Sequence, residues 1–189
     1  MNLDKGLQRS ESRKGEAKAA MKRVLIIGSN GAGKTTFSYS LAKQIGLPLI
    51  HIDKLYWRGS WNVTPREEFE ALVLMEAKKP RWIIEGNNIS SLKQRLEYAD
   101  TVFWFEFSPI ICFKNVLARE LKYRGKVSPD MPDQCVSRLS TGFLRDVWNF
   151  NRKNHWKIEE ALAEANVRLI HVSNRHQVKQ CLQRINKKR

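Results

Sequence analysis

Residues 28–36 read Gly28-Ser29-Asn30-Gly31-Ala32-Gly33-Lys34-Thr35-Thr36, and the first eight fit the pattern G-x-x-x-x-G-K-T. Each residue type in that pattern answers a requirement of phosphate binding. Glycines let the backbone wrap tightly, so that successive N–H groups and the positive end of the following helix face one anion. The Lys34 ammonium can reach the β- and γ-phosphates, and the Thr35 hydroxyl can bind Mg²⁺. The flanks agree: the apolar run Val24-Leu25-Ile26-Ile27 precedes the loop, and a helix-like segment from Thr35 to Gln44 follows it. A glycine turn with a merely solvated lysine would not need both. Residues 28–36 are expected to hold ATP with Mg²⁺.

Two carboxylates stand where further chemistry is expected. Asp53 follows a short apolar run in His51-Ile52-Asp53-Lys54-Leu55-Tyr56-Trp57, and Glu85 ends another in Trp82-Ile83-Ile84-Glu85-Gly86-Asn87. Either could hold Mg²⁺, with Thr35, or accept a proton from an attacking hydroxyl; a capping or surface acid is the plain alternative. Gly86 would let the backbone approach a ligand, or simply turn the chain. Trp57 and Trp61, with Tyr56, could wall an apolar site for a ring-shaped acceptor or serve the core. Asp53, Trp57, Glu85 and Gly86 form the candidate acceptor side.

Transfer of a phosphoryl group also needs charge neutralised on its oxygens and water kept out. The candidates are Arg119, Lys122, Arg124, Lys126, Arg138, Arg145, Arg152 and Lys153. Arg119 and Arg138 are the catalytic candidates beside Lys34 and Asp53, and at least two of the group are expected to touch phosphate. For each one alone, a solvated surface role is the alternative. His155 and His171 are neither spaced nor partnered like ligands and read as structural, while His51 could tune the Asp53 region. Ser173-Asn174-Arg175-His176 could meet the adenine edge through backbone groups.

The elements that must position these groups alternate. Strands are expected near 22–27, 48–52, 81–84, 101–107 and 167–172. Helices are expected near 34–45, 65–79 (capped by Thr64 with Glu67 as box partner), 109–123, across 137–165 and from 176 to 185. This predicts an α/β fold: three layers around a five-stranded, mostly parallel sheet, the loop after strand one and a small helical lid over about 120–145. Residues 1–20 read as a flexible basic extension, with Met21 a plausible start. Residues 21–185 form one domain, and 186–189 a basic tail.

At 189 residues the chain fits one domain. Its formal charge of +15 comes from 34 basic and 19 acidic residues. Polyphosphate substrates and nucleic acid would both account for that balance. No apolar run approaches a membrane span, and the first twenty residues lack the apolar stretch of a secretory signal. Three scattered cysteines, Cys112, Cys135 and Cys181, read as reduced thiols, so a cytoplasmic location is expected.

The segments 28–36, 51–57 and 82–87, with the strand–Pro–helix stretch Ala99 to Arg119 and the Trp148–Lys157 stretch, resemble the adenylate kinase-like branch of P-loop NTPases. Within it they look like the bacterial DNA topology modulation proteins, or FlaR-like group. The likeness covers about residues 21–185. It implies a kinase fold with Gly33, Lys34 and Thr35 on ATP–Mg²⁺, Asp53 on the acceptor side and Arg119 near adenine or phosphate. Glu85 stands where such proteins often carry aspartate. The expected activity is phosphoryl transfer from ATP to a small polar acceptor: a nucleotide, nucleoside or related metabolite. The alternative is an ATP-binding or slowly hydrolysing regulatory protein associated with nucleic acid, although no helix-turn-helix or zinc site is present to read bases. Oligomeric state cannot be read from the chain.

Overall fold

The computed structural model describes residues 21–187; the N-terminal extension 1–20 and the last two residues of the basic tail lie outside it. Five strands, β1 (Arg23–Gly28), β2 (Leu49–His51), β5 (Trp82–Glu85), β6 (Thr101–Phe105) and β7 (Arg168–Val172), form one sheet in the order β2-β5-β1-β6-β7. All of its pairings are parallel. The central strands β1, β5 and β6 read as apolar runs because both faces are covered, while the edge strand β7 is largely exposed. Along β1, Leu25 and Ile27 enter one core and Val24 and Ile26 the other, as the period of two requires.

The first core packs α3 (Arg66–Ala77), α4 (Leu92–Leu96) and the distal half of α6 (Thr141–Glu164) onto the sheet through Phe69, Val73, Leu92, Leu96, Phe150 and Ile158. The second packs α1 (Lys34–Ile45) and α5 (Pro109–Tyr123) onto the other face through Phe37, Leu41, Cys112 and Val116. There α7 (Arg175–Asn186) adds Val178, Leu182 and Ile185. A fully buried side chain such as Phe37, Leu41 or Val73 contributes about 1.5–3 kcal/mol of burial free energy, and the half-buried ones of α7 less. The order places β1 centrally: the chain leaves it for one flank of the sheet, then crosses to the other. That reversal opens a crevice at the carboxyl ends of the strands. The loop after β1 sits in it.

Local readings shift in instructive ways. Strand two stops at His51, and Ile52 begins a short helix, α2 (Ile52–Tyr56), so Asp53 sits on a first helical turn. Thr64 does not cap α3. Its hydroxyl donates to the Leu55 carbonyl at 2.8 Å, its N–H to Tyr56 O at 2.8 Å, and Pro65 takes the cap position. The sequence reading missed α4 and the two-stranded hairpin β3 (Trp57–Arg58) and β4 (Asn62–Val63), whose turn holds Ser60 and Trp61 at positive φ. Helical character in 120–145 lies at its two ends. Between Tyr123 and Thr141 the chain turns repeatedly, with one antiparallel bridge, Val127 to Val136.

His155 and His171 do have a partner. They hydrogen-bond the two oxygens of Glu106, His171 Nε2 at 3.0 Å, and both rings lie against Trp104. The hydrogen bond to Glu106 holds the His155 imidazole above its usual pKa. The cluster pins α6 to the sheet edge, a structural role.

Candidate functional site

The phosphate loop is held from beneath and from three sides. Gly28 has φ 127°, and a Cβ there would lie 1.9 Å from the Phe105 carbonyl oxygen, so no other residue fits. Its N–H donates to Asn87 Oδ1 at 3.0 Å, and the Asn87 amide donates to Asn30 Oδ1 at 3.0 Å. From α5, Asn115 donates to the Gly31 carbonyl at 2.8 Å, while Arg175 donates to Asn115 Oδ1 at 3.0 Å. From α6, Asn151 accepts from the Ser29 hydroxyl at 2.6 Å. The loop shape is thus built in before any ligand arrives. Ala32 is buried in the core beneath it.

Lys34 is 6% exposed, and its Nζ donates to the Ser29 carbonyl at 3.0 Å. Burial lowers its pKa, opposed by the charges of Glu85 and Asp53. A cation held over its own loop, with one bond to a carbonyl, retains two N–H donors for an anion. Thr35 Oγ1 lies 3.4 Å from Glu85 Oε2, the same oxygen that His51 Nδ1 meets at 2.9 Å. His51 therefore acts on Glu85, not on Asp53, and its Nε2 is 3.2 Å from the Tyr39 hydroxyl. Burial pushes the Asp53 carboxyl up to about 6, helped by Glu85 and Asp130 against Lys34 and Arg119.

Two cavities adjoin here. One, of about 300 Å³, is lined by Gly31, Gly33, Lys34, Thr35 and Thr36 with Glu85, Gly86, Asn115 and Lys122. The second, of about 640 Å³, is walled by Tyr56, Trp57 and Trp61 on one side and by α5, α6 and the 128–140 stretch on the other. Asn30, Asp53, Asn87, Arg119 and Asp130 line both. Gly86 faces the first, yet its glycine is explained by packing: with φ 144°, a Cβ would lie 1.9 Å from Ile52 Cγ2.

The basic candidates divide. Arg119 and Lys122 line the first cavity, Arg119 with Nη1 4.0 Å from Asp130 Oδ2. Arg138 lines only the second cavity, its guanidinium 5.1 Å from the centre of the Trp61 ring. Arg124, Lys126, Arg145, Arg152 and Lys153 line neither, and Lys153 pairs with Asp146 at 3.0 Å. In 173–176, Asn174 caps α7 by accepting from Gln177 N, and Arg175 reaches the loop through Asn115.

Solved structures of similar shape have one recurring character. A shikimate kinase from Acinetobacter baumannii in complex with shikimate is 17% identical with a TM-score of 0.56, covering 92% of this chain and 95% of its own. A shikimate kinase from Bacteroides thetaiotaomicron is 17% identical with a TM-score of 0.51, over 89% and 98%. A gluconokinase from Sinorhizobium meliloti 1021 is 13% identical with a TM-score of 0.52, over 90% and 97%. The fold is the one that these kinase structures share. No family model matches the chain. Threonine synthase-like 1 of Macaca fascicularis and of Pongo abelii are each 24% identical over 146 residues, 74% of this chain, which spans 19% of their length. These likenesses carry the kinase fold and do not reach as fine as the DNA topology modulation group. Among the described residues, no helix is long and apolar enough to cross a membrane.

Three residues had no signal of their own in the sequence. Asp130 lies in a turn-rich stretch, buried against the Ser128 hydroxyl. Asn87 looks like an ordinary turn residue. Arg95 reads as a surface helix position, yet it is fully buried and donates to the carbonyls of Ser91, Gly86 and Asn88. Burial lowers its pKa to about 10, although Asp53 and Glu85 favour its charge.

Proposed function

We propose that this protein transfers the γ-phosphoryl group of ATP to a hydroxyl of a small polar acceptor. The observation that carries the reading is the adjoining pair of cavities: one over Lys34 to Thr36, one walled by aromatic rings, with Asp53, Arg119 and Asp130 on their shared boundary. A donor phosphate in the first would meet an acceptor in the second at Asp53. Lys34, Arg119 and Lys122 converge on the phosphate cavity. That convergence favours a transferase over a protein whose basic groups form a nucleic-acid stripe. The names of the kinase neighbours agree with a small acceptor.

In this reading the loop N–H groups and Lys34 hold the β- and γ-phosphates, and Arg119 and Lys122 neutralise the γ-oxygens. The acceptor oxygen attacks the γ-phosphorus as the bond to the β-phosphate oxygen breaks, and ADP leaves. Asp53 orients the hydroxyl and takes its proton, a role its raised pKa suits. The Trp57 and Trp61 wall shields the reacting atoms from water.

The residues fit Mg²⁺. Thr35, Glu85 and Asp53 offer a hydroxyl and two carboxylates, while among the described residues no group of three or more His, Cys, Asp or Glu side chains closes around an ion. Sparse oxygen ligation completed by phosphate and water is how Mg²⁺ is usually bound. Thr35 would bind it directly and Glu85 through water, and the ion would supply charge neutralisation on the transferring group. Incubation with Mg²⁺–ATP and a panel of nucleosides, sugars and polar metabolites, followed by mass, tests the reading. A product heavier by one phosphate and absent with Lys34→Ala supports it; ATP binding without product across the panel counts against it.

A further inference from the structure

The second cavity is more acidic than a site for an anionic substrate should be. We infer that its acceptor is an uncharged, ring-bearing compound with more than one hydroxyl, not a carboxylate or a phosphate ester. This rests on the phosphoryl-transfer reading and narrows it.

Four carboxylates line the cavity, Asp53, Glu120, Asp130 and Asp146, against two guanidinium groups. Of those two, Arg119 stands with Asp53 and Asp130 on the boundary shared by the two cavities, where one guanidinium faces two carboxylates. Arg138 is exposed and covers one face of Trp61. Glu120 is occupied by the Ser137 hydroxyl at 2.6 Å, and Asp146 by Lys153 at the rim. The inner end is therefore set by Asp53 and Asp130. Asp130 Oδ1 accepts from Ser128, while Oδ2 faces Arg119 Nη1 at 4.0 Å, beyond hydrogen-bond distance, and so keeps its lone pairs for a ligand hydroxyl. Carboxylates are acceptors only, so this pair suits hydroxyl groups and opposes a second anion.

The opposite wall is aromatic. Trp57 and Trp61 meet edge to face at 5.3 Å, and Tyr56 packs against Trp57 at 4.9 Å. Such a wall accepts the apolar face of a ring. A neutral ring alcohol therefore has its face on tryptophan, one hydroxyl at Asp53 and another at Asp130. Transfer forms the phosphorus–oxygen bond on the first hydroxyl as the γ-phosphorus–oxygen bond to the β-phosphate breaks and ADP leaves, and the hydroxyl proton passes through Asp53 to solvent. The product then carries the charge that the entering acceptor lacked, so the same acidic wall favours its release.

Quenching of tryptophan fluorescence by matched probes tests this on the full-length protein with a non-hydrolysable ATP analogue and Mg²⁺ present. The probes are uridine and pyridoxine as neutral ring alcohols, and uridine monophosphate, shikimate and gluconate as anions, each also assayed for phosphorylation with ATP. At least one neutral probe should bind about tenfold tighter than every anion, and Asp130→Asn should weaken it about tenfold. If that variant does not fold, the wild-type ranking alone decides. Tighter binding or faster phosphorylation of an anion overturns the inference while leaving the kinase reading intact. Neutral probes that bind preferentially yet are never phosphorylated uphold the inference about the cavity and count against the kinase reading. Failure of both neutral probes to bind at millimolar concentration overturns the inference.

Discussion

Asn151, on α6, accepts a hydrogen bond from the hydroxyl of Ser29 at 2.6 Å, although the two lie 122 residues apart. The same side chain donates to the Phe107 carbonyl at 3.1 Å. The helix that emerges from the 124–140 stretch is thereby fastened to the glycine-rich loop at Ser29. Asn151→Ala should weaken affinity for an ATP analogue roughly three- to tenfold while leaving the fold intact, because one positioning bond is worth about 0.5–1.5 kcal/mol. Titration calorimetry beside a thermal melt separates these effects. Unchanged affinity would mean that the loop keeps its shape without α6.

In the proposed reaction Asp53 is the base, and the same carboxyl carries a cost in stability. Its unfolded carboxyl titrates near 3.8 and its folded one at about 6. The folded state therefore holds the proton more tightly, and stability falls as pH rises from the lower value through the upper one. At neutral pH the charge on this half-buried carboxyl faces Glu85 and Asp130. Asp53→Asn should raise stability by about 1–2 kcal/mol at pH 8, retain ATP binding and abolish transfer. Wild-type kcat/KM should decline as pH falls below about 6, where the base is protonated. A destabilised or fully active Asn variant would remove Asp53 from this role.

Arg95 is a buried guanidinium whose hydrogen-bonding partners are backbone carbonyls, two of them in the Gly86–Asn88 turn. Replacing it with methionine leaves those carbonyls without donors. Arg95→Met should cost about 2–4 kcal/mol and loosen ATP binding, since Asn87 in that turn holds Gly28. Urea unfolding should show a lower midpoint with little change in slope. An unaltered midpoint would show that water replaces the guanidinium without loss.

Trp61 donates from Nε1 to the Val136 carbonyl at 3.0 Å, and Cys135 Sγ lies 3.2 Å from Arg58 O. These contacts dock the small hairpin onto the 128–138 stretch. Trp61→Phe keeps a ring under Arg138 but loses the donor. Amide exchange across 128–138 should accelerate while that of β1 and β6 stays unchanged. Equal protection in both proteins would mean that the stretch is held by its other contacts.

What could be read in the sequence followed from contiguity. The phosphate loop, its flanking strand and helix, and the five apolar runs are local patterns, and each sits within a residue or two of its expected place. Asp53 and Glu85 stood out because they follow or end such runs, and both line the cavity over the glycine-rich loop. Asp130, Asn87 and Arg95 did not, because no periodic pattern marks them: Asn87 meets Gly28 and Asn30 from far along the chain, Asp130 meets Arg119 across a turn-rich stretch, and Arg95 folds back onto the 86–88 carbonyls. The Thr64 cap failed for a related reason, a nearby carbonyl competing for its hydroxyl. His155 and His171 found their common partner in Glu106 only once α6 crossed the sheet edge.

The most direct test of phosphoryl transfer is mass analysis of acceptor mixtures after incubation of the wild-type protein, Lys34→Ala and Asp53→Asn with Mg²⁺–ATP. One acceptor should gain a single phosphate with the wild type alone, while Asp53→Asn still binds ATP. A product that persists in Lys34→Ala, or a wild-type protein that binds ATP and phosphorylates nothing across neutral and anionic acceptors, would contradict it.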